Sequence, residues 1–85
     1  MRLIFARTAI KELGGVPARD RIALSRRLQD FAADPFGNHL WALPMRGRRD
    51  TVRIRQGDWR AVCRIDREAD TVTVEFVANR REAYR

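Results

Sequence analysis

The chain has 85 residues, 45% of them apolar, with 18 basic and 11 acidic side chains and a net charge of +7. That length holds one modest core, so a single domain spanning residues 1–85 is expected, and the apolar fraction argues against a disordered chain. No apolar run approaches the ~20 residues of a membrane span, and the opening Met-Arg-Leu-Ile-Phe-Ala-Arg is too brief an apolar stretch for a signal peptide; a cytoplasmic protein without membrane contact is expected.

Arg2-Leu-Ile-Phe-Ala6 reads as a short opening strand. A short helix is expected over 8–14, with Thr8 as N-cap and Gly14-Gly15 as the stop. Pro17 suits the first turn of a second, longer helix over about 17–33. Its apolar stripe is Ile22, Leu24, Leu28, Phe31 and Ala32, and the two helices are expected to form an antiparallel hairpin. Asp34-Pro35-Phe36-Gly37-Asn38 ends it. The segment His39-Leu40-Trp41-Ala42-Leu43 reads either as a strand or as an anchored loop, stopped by Pro44. Three strands follow at about 50–56, 59–66 and 71–77, joined by turns at Gln56-Gly57-Asp58 and Arg67-Glu68-Ala69-Asp70. Residues 78–85 form a polar tail. The expected class is α+β: a β-α-α-β-β-β chain with an antiparallel sheet and a helical hairpin on one face.

Alternation along the strands assigns their faces. Val52 and Ile54, then Trp59, Ala61, Cys63 and Ile65, then Val72, Val74 and Phe76 are expected under the helices. Arg53, Arg55, Arg60 and Arg64 gather on the other face with Val62, Thr73 and Glu75. A solvated sheet face accounts for any one of these arginines. The group, with only Glu75 to offset it, points to an anion. Lys11 is the one lysine among the 18 basic residues, a bias that genomic base composition alone can produce. Position carries more: residues 46–64 hold seven basic against two acidic groups, whereas 65–79 hold one against four. A polyanion is the expected partner, held by planar guanidinium forks that remain charged at any working pH.

One cysteine, Cys63, and one histidine, His39, allow neither an internal disulfide nor a zinc site. No metal or cofactor is expected. Cys63 reads as a buried, inert thiol, His39 as structural or surface, and Trp41 and Trp59 as core.

The layout resembles the RelE/ParE superfamily of bacterial type II toxins. The matching pieces are an opening strand, "AIKEL", "LQDFAADP", "LPMRGRRDTVRIRQGDWRAVCRID" and "TVTVEFVANRREAYR", in order along nearly the whole chain. The resemblance implies a small toxin neutralised by a small, acidic antitoxin encoded beside it. RelE-like members cut messenger RNA in the ribosomal decoding site and so inhibit translation, whereas ParE-like members poison DNA gyrase and are not nucleases. On the RelE-like reading, the basic pair of the first hairpin strand falls on Arg53 and Arg55, the arginine after the turn on Arg60, the arginine of the closing segment on Arg80, and the tyrosine on Tyr84. The best-known members have lysine at the basic pair; arginine here keeps charge stabilisation and puts an acid or base role for the pair in doubt. The Arg80-to-Tyr84 spacing is also compressed.

Metal-independent cleavage by 2′-hydroxyl attack needs a base, a stabilised phosphorane and an acid. Tyr84 is the candidate base, its phenolate favoured by neighbouring guanidiniums, with a clasp pinning the tail as the alternative. Arg60 and Arg80 would brace the phosphorane, and Arg53 and Arg55 would position the phosphate. Arg46, Arg48 and Arg49, with Arg64 and Arg81, read as contacts to RNA backbone, or as solvated charges. The RelE-like endoribonuclease is the leading reading and a gyrase-directed toxin the alternative.

Overall fold

The computed structural model describes residues 1–81. Leu24, Leu28, Phe31 and Ala32 recur at helical spacing, and all four are buried, which docks the longer helix on the sheet. Ile22 lies two residues before Leu24, about 200° away on a helix of 3.6 residues per turn. It therefore faces outward, 60% exposed, and drops out of the expected stripe.

The elements run β1 (Arg2–Phe5), α1 (Arg7–Leu13), α2 (Ala18–Ala33), β2 (Ala42–Pro44), β3 (Thr51–Gln56), β4 (Trp59–Asp66) and β5 (Thr71–Asn79). The class is α+β, as expected. Thr8 is not the cap of α1: Ala6 holds that position, without a side-chain cap. Pro17 is the N-cap of α2 rather than part of its first turn. Segment 39–43 resolves into both readings, a loop through Trp41 and then a strand that includes Pro44. A proline is tolerated there because β2 is an edge strand.

The strands form one sheet in the order β1-β5-β4-β3-β2. Every neighbouring pair is antiparallel except β1 and β5, which run parallel, so the sheet is mixed rather than wholly antiparallel. The connection from β1 through both helices brings the chain to the far edge of the sheet, and three consecutive antiparallel connections return it beside β1. Both helices lie against the sheet, α1 over β5 and α2 over β1, β3 and β4. Between sheet and helices sit Ala9, Leu24, Leu28, Phe31, Ile54, Ala61, Cys63, Val72, Val74 and Val77.

β5 contains a bulge that alternation alone did not reveal. Cys63 pairs with Val74 but Val62 pairs with Phe76, leaving Glu75 as the extra residue. Beyond it the faces exchange. Val77 points into the core, and Phe76, expected inside, lies on the arginine face opposite Val62. Past Phe5 the outer edge of β5 has no strand beside it, and α1 covers it instead. There the Val77 amide donates to Glu12 Oε1 at 2.9 Å.

Candidate nucleic-acid interface

Cross-strand register sorts the arginine face into rows. Arg55 stands opposite Arg60, which stands opposite Ala78. The next row is Leu43, Arg53, Val62 and Phe76, and the third is Thr51, Arg64 and Thr73. Arg60 and Arg64 are therefore four residues apart along β4, roughly 13 Å at 3.3 Å per residue. The four arginines grouped by alternation split into two neighbourhoods.

At the turn end, Gln56 pairs with Trp59 across the two residues Gly57 and Asp58, and Gly57 takes φ +57° at the first central position. Arg60 Nη1 donates to the carbonyls of Gly57 and Trp59, at 2.7 and 2.8 Å. These carbonyls hold one guanidinium in place although Arg55 stands directly across, an arrangement that costs stability unless something offsets it. The Arg80 amide donates to the Asp58 carbonyl at 2.7 Å, and its Nε lies 3.7 Å from Asp58 Oδ1. Arg80 is thereby brought to the turn beside Arg60. Arg27, which carries no local motif to single it out, reaches in from α2: its Nη1 donates to the Arg55 carbonyl at 2.6 Å, and its guanidinium lies 5.6 Å from the centre of the Trp41 ring. Arg53, Arg55 and Arg60 line a cavity of about 240 Å³ together with Leu40, Trp41 and Leu43, with no carboxylate in its wall.

The other end is charge-paired. Glu75, at the bulge, accepts from Arg48 at 2.8 Å and lies 3.9 Å from Arg64. Glu75 was expected to offset one arginine; the bulge lets it face two. A larger cavity of about 450 Å³ is lined by Arg49, Arg64 and Arg67, but also by Asp50, Asp66 and Glu68. Its mixed charge makes it the poorer anion site. Arg46, Arg49 and Arg81 are exposed, the first two in the loop before β3. Tyr84 lies outside the described residues.

His39 serves the scaffold. Its Nε2–H donates to the Asp34 carbonyl at 2.7 Å, and the ring stacks on Trp41 at 4.6 Å with Phe31 edge-on at 6.0 Å. Trp41 and Trp59 both pack against the core. Cys63 is a free, buried thiol, its pKa pushed up from 9.0 to about 12 by burial and, secondly, by the Glu75 charge. Among the described residues no group of three His, Cys, Asp or Glu side chains is placed to hold a metal ion, and no helix is long and apolar enough to cross a membrane.

No protein-family model matches the chain. A search of curated protein sequences returns no match either. Solved structures do match over nearly the full length. A chain of the toxin–antitoxin complex RelBE2 from Mycobacterium tuberculosis is 29% identical, with 93% of this chain and 96% of that one covered at a TM-score of 0.75. A chain of the intact Escherichia coli RelBE complex is 25% identical, with 92% and 94% covered at a TM-score of 0.80. This chain is similar to RelE toxins over nearly its whole length. An E. coli RelE mutant bound to a RelB peptide gives a third match, 28% identical, with 98% of this chain and 88% of that one covered at a TM-score of 0.78. The RelE/ParE resemblance in the sequence is thus matched by RelE chains among solved structures.

Proposed function

We propose that this toxin belongs to a type II toxin–antitoxin pair and is a cytoplasmic, ribosome-dependent endoribonuclease that cleaves messenger RNA without a metal. The observation that carries this reading is the gathering of Arg53, Arg55 and Arg60 around a cavity with no carboxylate in its wall, at the end of the β3–β4 hairpin where Arg80 is held by Asp58.

In the proposed reaction the 2′-hydroxyl loses its proton to a base and attacks the adjacent phosphorus. The P–O5′ bond breaks, leaving a 2′,3′-cyclic phosphate, and the departing 5′-oxygen takes up a proton. Fixed guanidiniums suit this reaction because negative charge on the phosphoryl oxygens grows in the transition state, and groups already in place need no reorganisation. Arg60, tied to the turn carbonyls, and Arg80, tied to Asp58, brace the phosphorane. Arg53 and Arg55 hold the phosphate. Tyr84 is the proposed base. So open a site gains from a ribosome that aligns the RNA beforehand. Exposed Arg46, Arg49 and Arg81 supply contacts to RNA backbone, while Arg48 and Arg64 do so only after leaving Glu75.

The proposed partner is a small acidic antitoxin. The matched structures include RelB–RelE complexes, and the helical side of this chain offers a complementary surface. Ile10 and Ile22 are exposed there, and two cavities of about 430 and 380 Å³ share Leu13 and Arg21 in their walls. An amphipathic helix with acidic flanks fits such a surface.

The test is primer extension on a reporter message in a bacterial translation extract, with wild type, Arg60→Ala and Tyr84→Phe. Cuts inside ribosome-occupied codons, lost or sharply reduced in both variants, are expected. An intact message from a protein that still arrests growth sinks the ribonuclease reading and directs the search to gyrase.

A further inference from the structure

Two exposed leucines border the arginine cavity. Leu43 is the register partner of Arg53 across the β2–β3 pair, so its side chain lies on the arginine face, 54% exposed. Leu40, in the loop just before β2, is 86% exposed. Both line the cavity of about 240 Å³ together with Trp41, Arg53, Arg55 and Arg60. The lining of this hollow is part cationic and part apolar. A single exposed leucine is ordinary, but two flanking a cluster of guanidiniums match a ligand that is itself half anion and half apolar plane.

We propose that Leu40 and Leu43 form a shelf for a nucleobase, the base of the nucleotide whose phosphate the arginines hold. The proposal rests on the ribonuclease reading for its substrate and adds where the base goes. The cavity is smaller than drug-sized ligand pockets, which suits one base rather than an extended ligand. Single-stranded RNA offers splayed bases that stack on guanidinium planes, and a base drawn out of its stack is held between aromatic or apolar side chains; this hollow has both kinds of group. A peptide strand added to the sheet edge is a poorer occupant. β2 is only three residues long, and its last residue, Pro44, has no amide proton to donate. Leucine cannot read a base edge by hydrogen bonding, so the shelf selects by shape and stacking, and its preference among bases is graded rather than absolute.

The test has two arms on the full chain. In the first, leucine methyl spectra of wild type are titrated with adenosine 3′-monophosphate and with ribose 5-phosphate, which lacks a base. The nucleotide is expected to shift the Leu40 and Leu43 methyls and the sugar phosphate to leave them still. A Leu40→Ser/Leu43→Ser variant should bind the nucleotide about tenfold more weakly, from the loss of one base contact, with sugar-phosphate binding unchanged. Because both side chains are exposed, its melting temperature should match wild type and so exclude misfolding. Silent methyls, or equal affinity for the two ligands, overturn the shelf. In the second arm, the same variant in the translation extract should cut more slowly and redistribute its cuts among codons. Wild-type cutting with an unchanged pattern in the variant overturns the shelf and leaves the ribonuclease reading standing. A wild type that cuts nothing overturns the ribonuclease reading itself, and the titration then decides the shelf alone.

Discussion

On the helix-covered side of the sheet, Ile54, Ala61, Cys63, Val72, Val74 and Val77 are shut away from water. On the other side the same three strands carry Arg53, Arg55, Arg60, Arg64 and Glu75, with only Val62, Ala78 and Phe76 as apolar ground between them. The first surface is stabilised by what it excludes, since each apolar group there gains from leaving water. The second has like charges facing each other across strands, Arg55 against Arg60, and gains nothing from that in folding. Such an arrangement suits the anionic ligand of the proposed function. On the proposed function, stability and activity fall on opposite faces of one sheet, and substitutions on the two faces should separate cleanly.

The strongest test of that separation lies in the core. Ile54→Ala empties a fully buried site and should cost about 2–5 kcal/mol. For a chain of this size that lowers the melting temperature by roughly 10 °C or more. Cleavage per folded molecule should hold, as judged by activity normalised to circular dichroism. Arg60→Ala should do the reverse: a loss of about 10²-fold or more in cleavage, the scale for removing one fixed transition-state donor, with little change in melting. If Arg60→Ala unfolds the protein instead, the division between faces fails.

Cys63 probes the dry face by pH. Its folded pKa of about 12 exceeds the ordinary 9.0, so the folded state holds the proton more tightly than the unfolded chain. Its contribution is fully present below pH 9 and is lost as pH rises toward 12. Urea melts of wild type and Cys63→Ala at pH 8 and above should show the wild type losing stability more steeply with pH. Thiol reagents at pH 8 should leave the folded protein untouched and label it on denaturation. The smallest stability effect belongs to Glu75→Gln, which releases two partly exposed ion pairs worth about 0–1 kcal/mol between them. Its effect on RNA should be larger. Arg48 and Arg64 become available to phosphates, so filter-binding affinity should rise and fall more steeply with added salt.

Much of this division was legible from alternation. Val52 and Ile54 against Arg53 and Arg55, and Ala61 and Cys63 against Arg60 and Arg64, needed only the two-residue period of a strand to be placed on their faces. Alternation failed where the backbone broke period: the bulge at Glu75 sent Phe76 outward and Val77 inward, and no residue type at 74–77 announces it. β2 was ambiguous because three residues are too few to show a period. Leu40 and Leu43 were read only as part of that segment, and their place beside the arginines emerges from the β2–β3 register. Ile22 was grouped with the stripe by its apolar type, although its angle on the helix sets it apart.

Local physics in the sequence determined the class of the fold, the three long strands, the longer helix, the dry and charged faces and the family resemblance, because each depends on periodicity or turn chemistry within a few residues. Tertiary structure decided what depends on partners distant in the chain. It set β1 parallel to β5, paired Glu75 with Arg48 and Arg64, and drew Arg80 to the turn beside Arg60. It also parted Arg64 from the arginines of the cavity, because register between strands, unlike alternation along one, is written only when the sheet closes.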